Sequence, residues 1–201
     1  MTHKRTQNEI KEHLNVFNCF LEEMTQSKVT KPFIAPTAGV VVLRGKEQVL
    51  LVETKSQGNW GFPKGSREKG ETSLVNALRE LNEEAGLVES DIDLITAATT
   101  TAAAAVDGVA TAAVTDTDGS QEYVTLDEMT PRNTLSCRYF VAVLRSSAHD
   151  KPVCALNPQE VLHCGYYSLE EASKLLKPSR RQVLEQAVAH VQQQGREKKQ
   201  N

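Results

Sequence analysis

The sequence predicts a fold of α/β or α+β class, and three stretches carry that expectation. Ala38 to Leu43 (AGVVVL) and Gln48 to Glu53 (QVLLVE) are apolar runs around Arg44-Gly45-Lys46-Glu47, the pattern of two strands and a short turn. Residues 73–85 (SLVNALRELNEEA) repeat their apolar side chains at helical spacing. Leu135 to Leu144 (LSCRYFVAVL) is the strongest strand signal in the second half, and a final helix is expected over 179–194.

Composition bounds the remaining classes. The 201 residues are 39% hydrophobic with a net charge of −3, which suits one domain with extensions. So mild an acidic balance excludes a protein-wide electrostatic grip on nucleic acid, though not a local basic patch. No run approaches the ~18 apolar residues of a membrane span. The start MTHKRTQNEIKEHL is not that of a signal peptide, so no membrane is expected as a partner. Cys19, Cys137, Cys154 and Cys164 show no CxxC spacing, and a reducing intracellular compartment follows: cytoplasmic, with the nucleus as the alternative. Cys154, His163 and Cys164 lack the fourth ligand of a structural zinc site.

In chain order, residues 1–35 form an N-terminal extension, with Ile10, Leu14, Phe17, Leu21 and Met24 at helical spacing over 7–25. That stripe packs on the domain, or serves as a lid or as a surface for a protein partner. Pro32 and Pro36 then break the chain before the first strand. After the strand pair, Gly58-Asn59-Trp60-Gly61-Phe62-Pro63-Lys64 makes a tightly shaped loop. Trp60 either stacks on a base or packs at the lip of the sheet; Lys64 is placed to touch a phosphate as a point charge. Residues 96–120, mostly Ala and Thr, read as a low-complexity insertion, disordered or loosely helical. Strand character returns at Glu122 to Leu126 and again at Leu135 to Leu144. Ser168 is a helix N-cap with Glu171 completing a capping box, so those glutamates are structural. Arg180 and Arg181 read as a solvated helix start, with a hold on RNA phosphates as the sharper alternative, and 195–201 as a disordered basic tail.

The helix over 73–85 is the unusual element. Relative to Arg79, Glu83 lies near roughly 40°, Glu80 near 100° and Glu84 near 140°, while Leu74, Leu78, Leu81 and Ala85 lie at roughly 200–260°. Like charges at i,i+3 and i,i+4 each cost an isolated helix roughly 0.2–0.5 kcal/mol, and Arg79 offers one charge against three. Converging carboxylate oxygens with few neutral partners suit a hard divalent ion, Mg²⁺ or Mn²⁺. The bland alternative is a solvated acidic face.

The whole stretch decides between them. Gly65, Glu71, Arg79, Glu80, Leu81, Glu83, Glu84, Gly86 and Leu87 match G-x5-E-x7-R-E-U-x-E-E-x-G-U without departure, where U is aliphatic. Seven fixed residue types make a chance match on the order of 1 in 10⁸ per start point. The stretch resembles the box of the Nudix hydrolases. That resemblance implies an α/β/α sandwich with a mixed sheet, spanning residues 36–194 around the 96–120 insertion. It also implies metal-dependent hydrolysis of a nucleoside diphosphate linked to a further moiety. Glu80, Glu83 and Glu84 would hold metal, the Lys64 main-chain carbonyl would assist, Glu71 would support from the loop and Arg79 would orient the carboxylates. Glu160, ahead of the strand running into SLEEA, matches the place of a further ligand or general base in many members; a solvent-exposed glutamate is the alternative.

WGFPKG resembles the segment preceding the box in mRNA-decapping members and, more loosely, in dinucleoside tetraphosphate hydrolases. The expected substrate is therefore a capped or phosphorylated RNA 5′ end or a dinucleoside polyphosphate. Diphosphoinositol polyphosphates and nucleotide sugars trail, having no basic-pocket signature and no extra motif in their favour. A non-catalytic module that binds nucleotides or RNA 5′ ends is the rival from another class; a lost box glutamate would favour it, and none is lost.

Overall fold

A computed structural model describes residues 36–55, 58–96, 113–114, 123–132, 134–156 and 158–197. The helix expected over 7–25 lies outside the described residues, as does most of the 96–120 insertion. The strands are β1 (Thr37–Arg44), β2 (Gln48–Thr54), β3 (Asn59–Gly61), β4 (Lys64–Ser66), β5 (Ile92–Leu94), β6 (Ala113–Val114), β7 (Tyr123–Met129), β8 (Leu135–Leu144) and β9 (Val161–Ser168). The helices are α1 (Ser73–Ala85), α2 (Leu169–Leu175) and α3 (Pro178–Glu197).

The strands form a mixed sheet in the order β3-β2-β1-β8-β7-β6, with β4 on β1, β5 on β8 and β9 on β2. β1 and β8 run parallel, Val40 opposite Phe140 and Val41 opposite Val141, while the other pairings are antiparallel. Alternation along β1 divides the core. Ala38, Val40 and Val42 face α1 with Leu50, Ala77, Leu81, Ala85 and Phe140. Val41 and Leu43 face the other way, with Leu51, Tyr139, Val183, Leu184 and Ala187 under α3. A strand buried on both faces has no polar side to show, which is why β1 and β8 read as continuous apolar runs. The architecture is the expected α/β/α sandwich.

α1 is fixed at both ends. Thr72 caps it by accepting the Val75 N–H at 3.2 Å. Gly86 ends it in the left-handed region (φ 70), donating its N–H to the Asn82 carbonyl. A Cβ there would also stand 3.0 Å from the Cys154 carbonyl oxygen, so a side chain at 86 is strained twice over. The Ser168–Glu171 capping box forms at α2 as expected.

Three details depart from the sequence reading. β7 continues past Leu126 to Met129, because β8 offers backbone partners as far as Leu135. α3 runs through Gly195 to Glu197, past the expected start of the tail; a helical glycine costs about 1 kcal/mol, too little to end a helix already packed along its length. Ala113–Val114 pair with Val124 and Tyr123, and Thr96 bridges Tyr123, so the insertion begins and resumes as β-structure. The open edge of β7 supplies the backbone groups they take.

Candidate active site

The polar face of α1 is organised by Arg79. Its guanidinium grips Glu71 with Nε at 2.8 Å and Nη2 at 3.1 Å, and shares Nη1 between Glu80 (2.8 Å) and Glu83 (2.9 Å). Nη2 also donates to the Ser66 carbonyl and to Asn76 Oδ1, both at 3.0 Å. One cation thus ties the loop before the helix to three of the carboxylates that repel one another. Hydrogen bonding from Arg79 holds the Glu71 carboxyl below its ordinary range.

Glu80 and Glu84 are buried, 9% and 7% exposed, where the helical count alone left a solvated face open. Burial pushes the Glu80 carboxyl up, with Arg79 pulling the other way and the charges of Glu83 and Glu160 adding to the rise. Burial pushes Glu84 up to about 7, against the Lys64 main-chain N–H that donates to it at 2.8 Å. The charges of Glu80 and Glu160 also press on Glu84, and among the described residues no cationic side chain pairs with it. Gly65 makes this approach feasible, since a Cβ there would overlap the Glu80 carboxylate. Its carbonyl accepts from the buried Asn76 Nδ2 at 3.1 Å, which pins the loop to the helix.

A cleft of about 520 Å³ opens beside Glu84, lined by Thr54, Lys55, Gln159 and Glu160. A smaller recess of about 180 Å³ shares Thr54 and Glu84 with it and adds Val52, Asn59, Gly61, Phe62, Lys64 and Arg180. Glu160 is carried to the rim by the chain just before β9, whose backbone joins β2 through the Lys55 N–H to Glu160 carbonyl bond of 2.9 Å. The β2–β9 register shifts at Glu53/Thr54, an irregularity of the kind that re-aims side chains beside a site.

The structure therefore gathers Glu80, Glu84, Glu160 and Lys64, with Arg79 and Glu71 behind them. Glu83 stands apart: it is 48% exposed and committed to Arg79. Among the described residues no three carboxylate, imidazole or thiol groups converge closely enough to form a ready metal cage. Arg79 holds one oxygen each of Glu80 and Glu83. The donor set still fits a hard divalent ion, because it is all oxygen and leaves Glu84 buried beside Glu80 and Glu160, with the Lys64 charge only partly offsetting them and no direct ion pair among the described residues.

For two residues the structure bears on alternatives that the sequence left open. Trp60 pairs with Glu53 on the α3 face of the sheet, whereas the neighbouring residues Asn59 and Gly61 line the recess. Its ring sits edge-on to Tyr167 (4.9 Å between centroids) and parallel to His163 (6.2 Å), so it packs at the lip of the sheet and does not face the cleft. Arg180 is not a solvated helix-start residue: its side chain is 14% exposed and it lines the recess. Asn76 was missed, yet it lies at roughly 60° on the helical count, inside the carboxylate arc. Thr54, Asn59 and Gln159 carried no comparable signal.

Comparison with known proteins gives the family and the fold. Residues 34–187 match the NUDIX domain. An RNA pyrophosphohydrolase of Histophilus somni is 37% identical over 60 residues, 30% of this chain and 31% of that protein. One from Ruthia magnifica subsp. Calyptogena magnifica is 40% identical over 57 residues, covering 28% and 32%. The matched stretch thus spans about a third of these relatives' length. Among solved structures, a C. elegans Ap4A hydrolase in a binary complex superposes with a TM-score of 0.55 at 19% identity, covering 77% of this chain and 97% of that one. RenU, a Nudix hydrolase from M. smegmatis, gives 0.51 at 17% identity, covering 77% and 86%. At these identities the likeness is one of fold. The chain belongs to the NUDIX domain family.

Proposed function

We propose that this protein is a divalent-metal-dependent pyrophosphohydrolase that cleaves a phosphoric anhydride in a nucleotide-linked substrate. The observation that carries the reading is the buried Glu84 carboxylate, pressed by Glu80 and Glu160 and paired with no cationic side chain among the described residues. A carboxylate that opposes folding in this way is accounted for by a positive ligand. Glu80 and Glu84 would hold Mg²⁺ or Mn²⁺, with the Lys64 carbonyl as the further oxygen donor the family resemblance implies and Glu83 joining if it releases Arg79. A bound divalent cation supplies charge neutralisation along the phosphates and acidification of the attacking water.

The chain's own residues divide the remaining work. Arg79 and Glu71 fix the orientation of the Glu80 carboxylate. Glu160, at the rim and across from Glu84, is positioned to accept a proton from the attacking water or to serve as a further ligand. The Lys64 ammonium offers a point charge to a phosphate oxygen in the recess. Such positioning and charge stabilisation supply most of the catalysis in reactions at phosphorus.

The substrate reading is a phosphorylated or capped RNA 5′ end, with dinucleoside polyphosphates as the close rival. WGFPKG and relatives named as RNA pyrophosphohydrolases support the former. The catalytic domain is read as residues 36–194, in an intracellular setting that the scattered cysteines suggest. The apolar stripe of residues 7–25 is its proposed contact with a protein partner. No described helix is long and apolar enough to cross a membrane. The test is product release from triphosphorylated RNA, capped RNA and diadenosine tetraphosphate, with Mg²⁺, with Mn²⁺ and after chelation. Turnover that survives exhaustive chelation would overturn the metal-dependent reading. Tight binding without turnover on any substrate would establish the non-catalytic alternative.

A further inference from the structure

We propose that Arg180 determines specificity by receiving a phosphoryl group of the substrate that lies beyond the bond cleaved. The inference rests on the reading above, that the cleft takes a polyphosphate-linked nucleotide.

Arg180 reaches the recess from the first turn of α3, across the edge of the sheet from α1. Its Nη1 donates to the Trp60 carbonyl at 2.8 Å, and its Nε faces the Glu128 carboxylate at 3.4 Å. Glu128 is itself buried and held by the Tyr139 hydroxyl and the Ser179 hydroxyl, each at 2.9 Å. The guanidinium is thereby oriented from within the core. Two of its five donors are used, and the remainder have no partner among the described residues.

The space around it is shaped to admit this group. Gly61 faces it, and a Cβ there would stand 2.8 Å from Nη1. Lys64 also lines the recess, so two cations and one carboxylate, Glu84, border it, with Glu128 behind Arg180. The lining is polar, and the one nearby indole, Trp60, is on the other face of the sheet. These are the features of an anion subsite rather than of a base-stacking one. The planar fork of arginine matches two phosphate oxygens at once, which a lysine does not reproduce. The alternative is a clamp that only joins β3 to α3.

The test compares wild type with Arg180→Met, which keeps the apolar stem, and Arg180→Lys, which keeps the charge and loses the fork. Affinity for a methylene-bridged diphosphonate, which cannot be hydrolysed, is measured by calorimetry in excess Mg²⁺. KM and kcat are measured on diadenosine tri-, tetra- and pentaphosphate, with melting temperatures throughout. The expected result is at least 10-fold weaker diphosphonate binding by Arg180→Met, a partial recovery in Arg180→Lys, and a rise in KM with kcat changed less than a few-fold. Unchanged affinity in a folded Arg180→Met, or no diphosphonate binding by wild type, would overturn the proposal. If Arg180→Met does not fold, Arg180→Lys decides: at least 3-fold weakening supports the subsite and equal affinity sinks it. Turnover without any dependence on Arg180 rejects this inference alone. Arg180-dependent diphosphonate binding without turnover on any polyphosphate rejects the enzymatic reading and leaves the subsite standing.

Discussion

Among the described residues two Glu-Glu pairs lie at helices, Glu83-Glu84 near the end of α1 and Glu170-Glu171 at the start of α2, and the fold treats them oppositely. Glu170 is exposed and pairs with Lys174 one turn on, while Glu171 closes a capping box with Ser168. Hydrogen bonding from Ser168 holds the Glu171 carboxyl below its ordinary range, so its ionised form supports the fold. Glu84 is buried among like charges and pushed up to about 7, so its ionised form opposes the fold. The same dipeptide thus serves stability in one place and stores an unbalanced charge in the other. Composition does not separate these cases; the sign of the electrostatic work does.

The sharpest way to break the comparison is to neutralise each side. Glu84→Gln and Glu80→Gln should lower metal-dependent turnover at least ~100-fold, the scale of removing one preorganised electrostatic group. Their metal-free melting temperature should hold or rise, because like-charge repulsion falls. Glu171→Gln should do the reverse, keeping turnover and lowering the melting temperature slightly with the loss of its cap. Thermal unfolding without metal and turnover with Mg²⁺, on the same preparations, check both halves. Turnover near the wild-type level in Glu84→Gln would refute the functional side.

Next in size is the pH dependence of the metal-free protein. The folded Glu84 carboxyl lies above its ordinary value of 4.5, so the folded state binds the extra proton. This group's contribution is fully present below about pH 4.5 and is lost as pH rises through about 7, a change of about 3 kcal/mol. Glu171 runs the other way: its contribution is present above the ordinary carboxyl range and is lost as pH falls through its lowered value. Denaturant unfolding from pH 4.5 to 8 should therefore show a decline in wild type that Glu84→Gln flattens and Glu171→Gln does not. Equal slopes in all three proteins would remove the argument from burial.

The smallest effect is reserved for a control. Glu53 lies on the α3 face and contacts His163 Nδ1 at 2.6 Å, away from the carboxylates of α1. Glu53→Gln should keep turnover within about two-fold, since a surface substitution outside such networks is typically worth less than ~0.5 kcal/mol. A loss as large as that of Glu84→Gln would move the centre of the site to the other side of the sheet.

Much of this architecture was legible because it follows from local period. AGVVVL, QVLLVE and LSCRYFVAVL became the strands buried at the centre, and the carboxylate arc over 79–84 kept its angular order on α1. A helical count gives angle without depth. That Glu80 and Glu84 are buried depends on β4, which pairs with β1 and brings the Lys64 N–H onto Glu84. The side on which Trp60 lies depends on its register against Glu53, which a three-residue strand does not advertise. Arg180 meets Trp60 across 120 positions of sequence, and no local pattern encodes a contact of that range. Ala113–Val114 joined the sheet for want of a partner on the edge of β7, against a composition that favours neither strand nor core.

The central claim is that Glu84 is kept buried and unbalanced for a cation. Direct Mn²⁺ binding by wild type, Glu84→Gln and Glu171→Gln, followed by magnetic resonance without any substrate, tests it independently of turnover. The account predicts that wild type and Glu171→Gln bind alike while Glu84→Gln binds at least ~10-fold more weakly, since losing even a residue that only supports a ligand typically costs roughly 10–100-fold. Mn²⁺ affinity in a folded Glu84→Gln equal to that of wild type would contradict it.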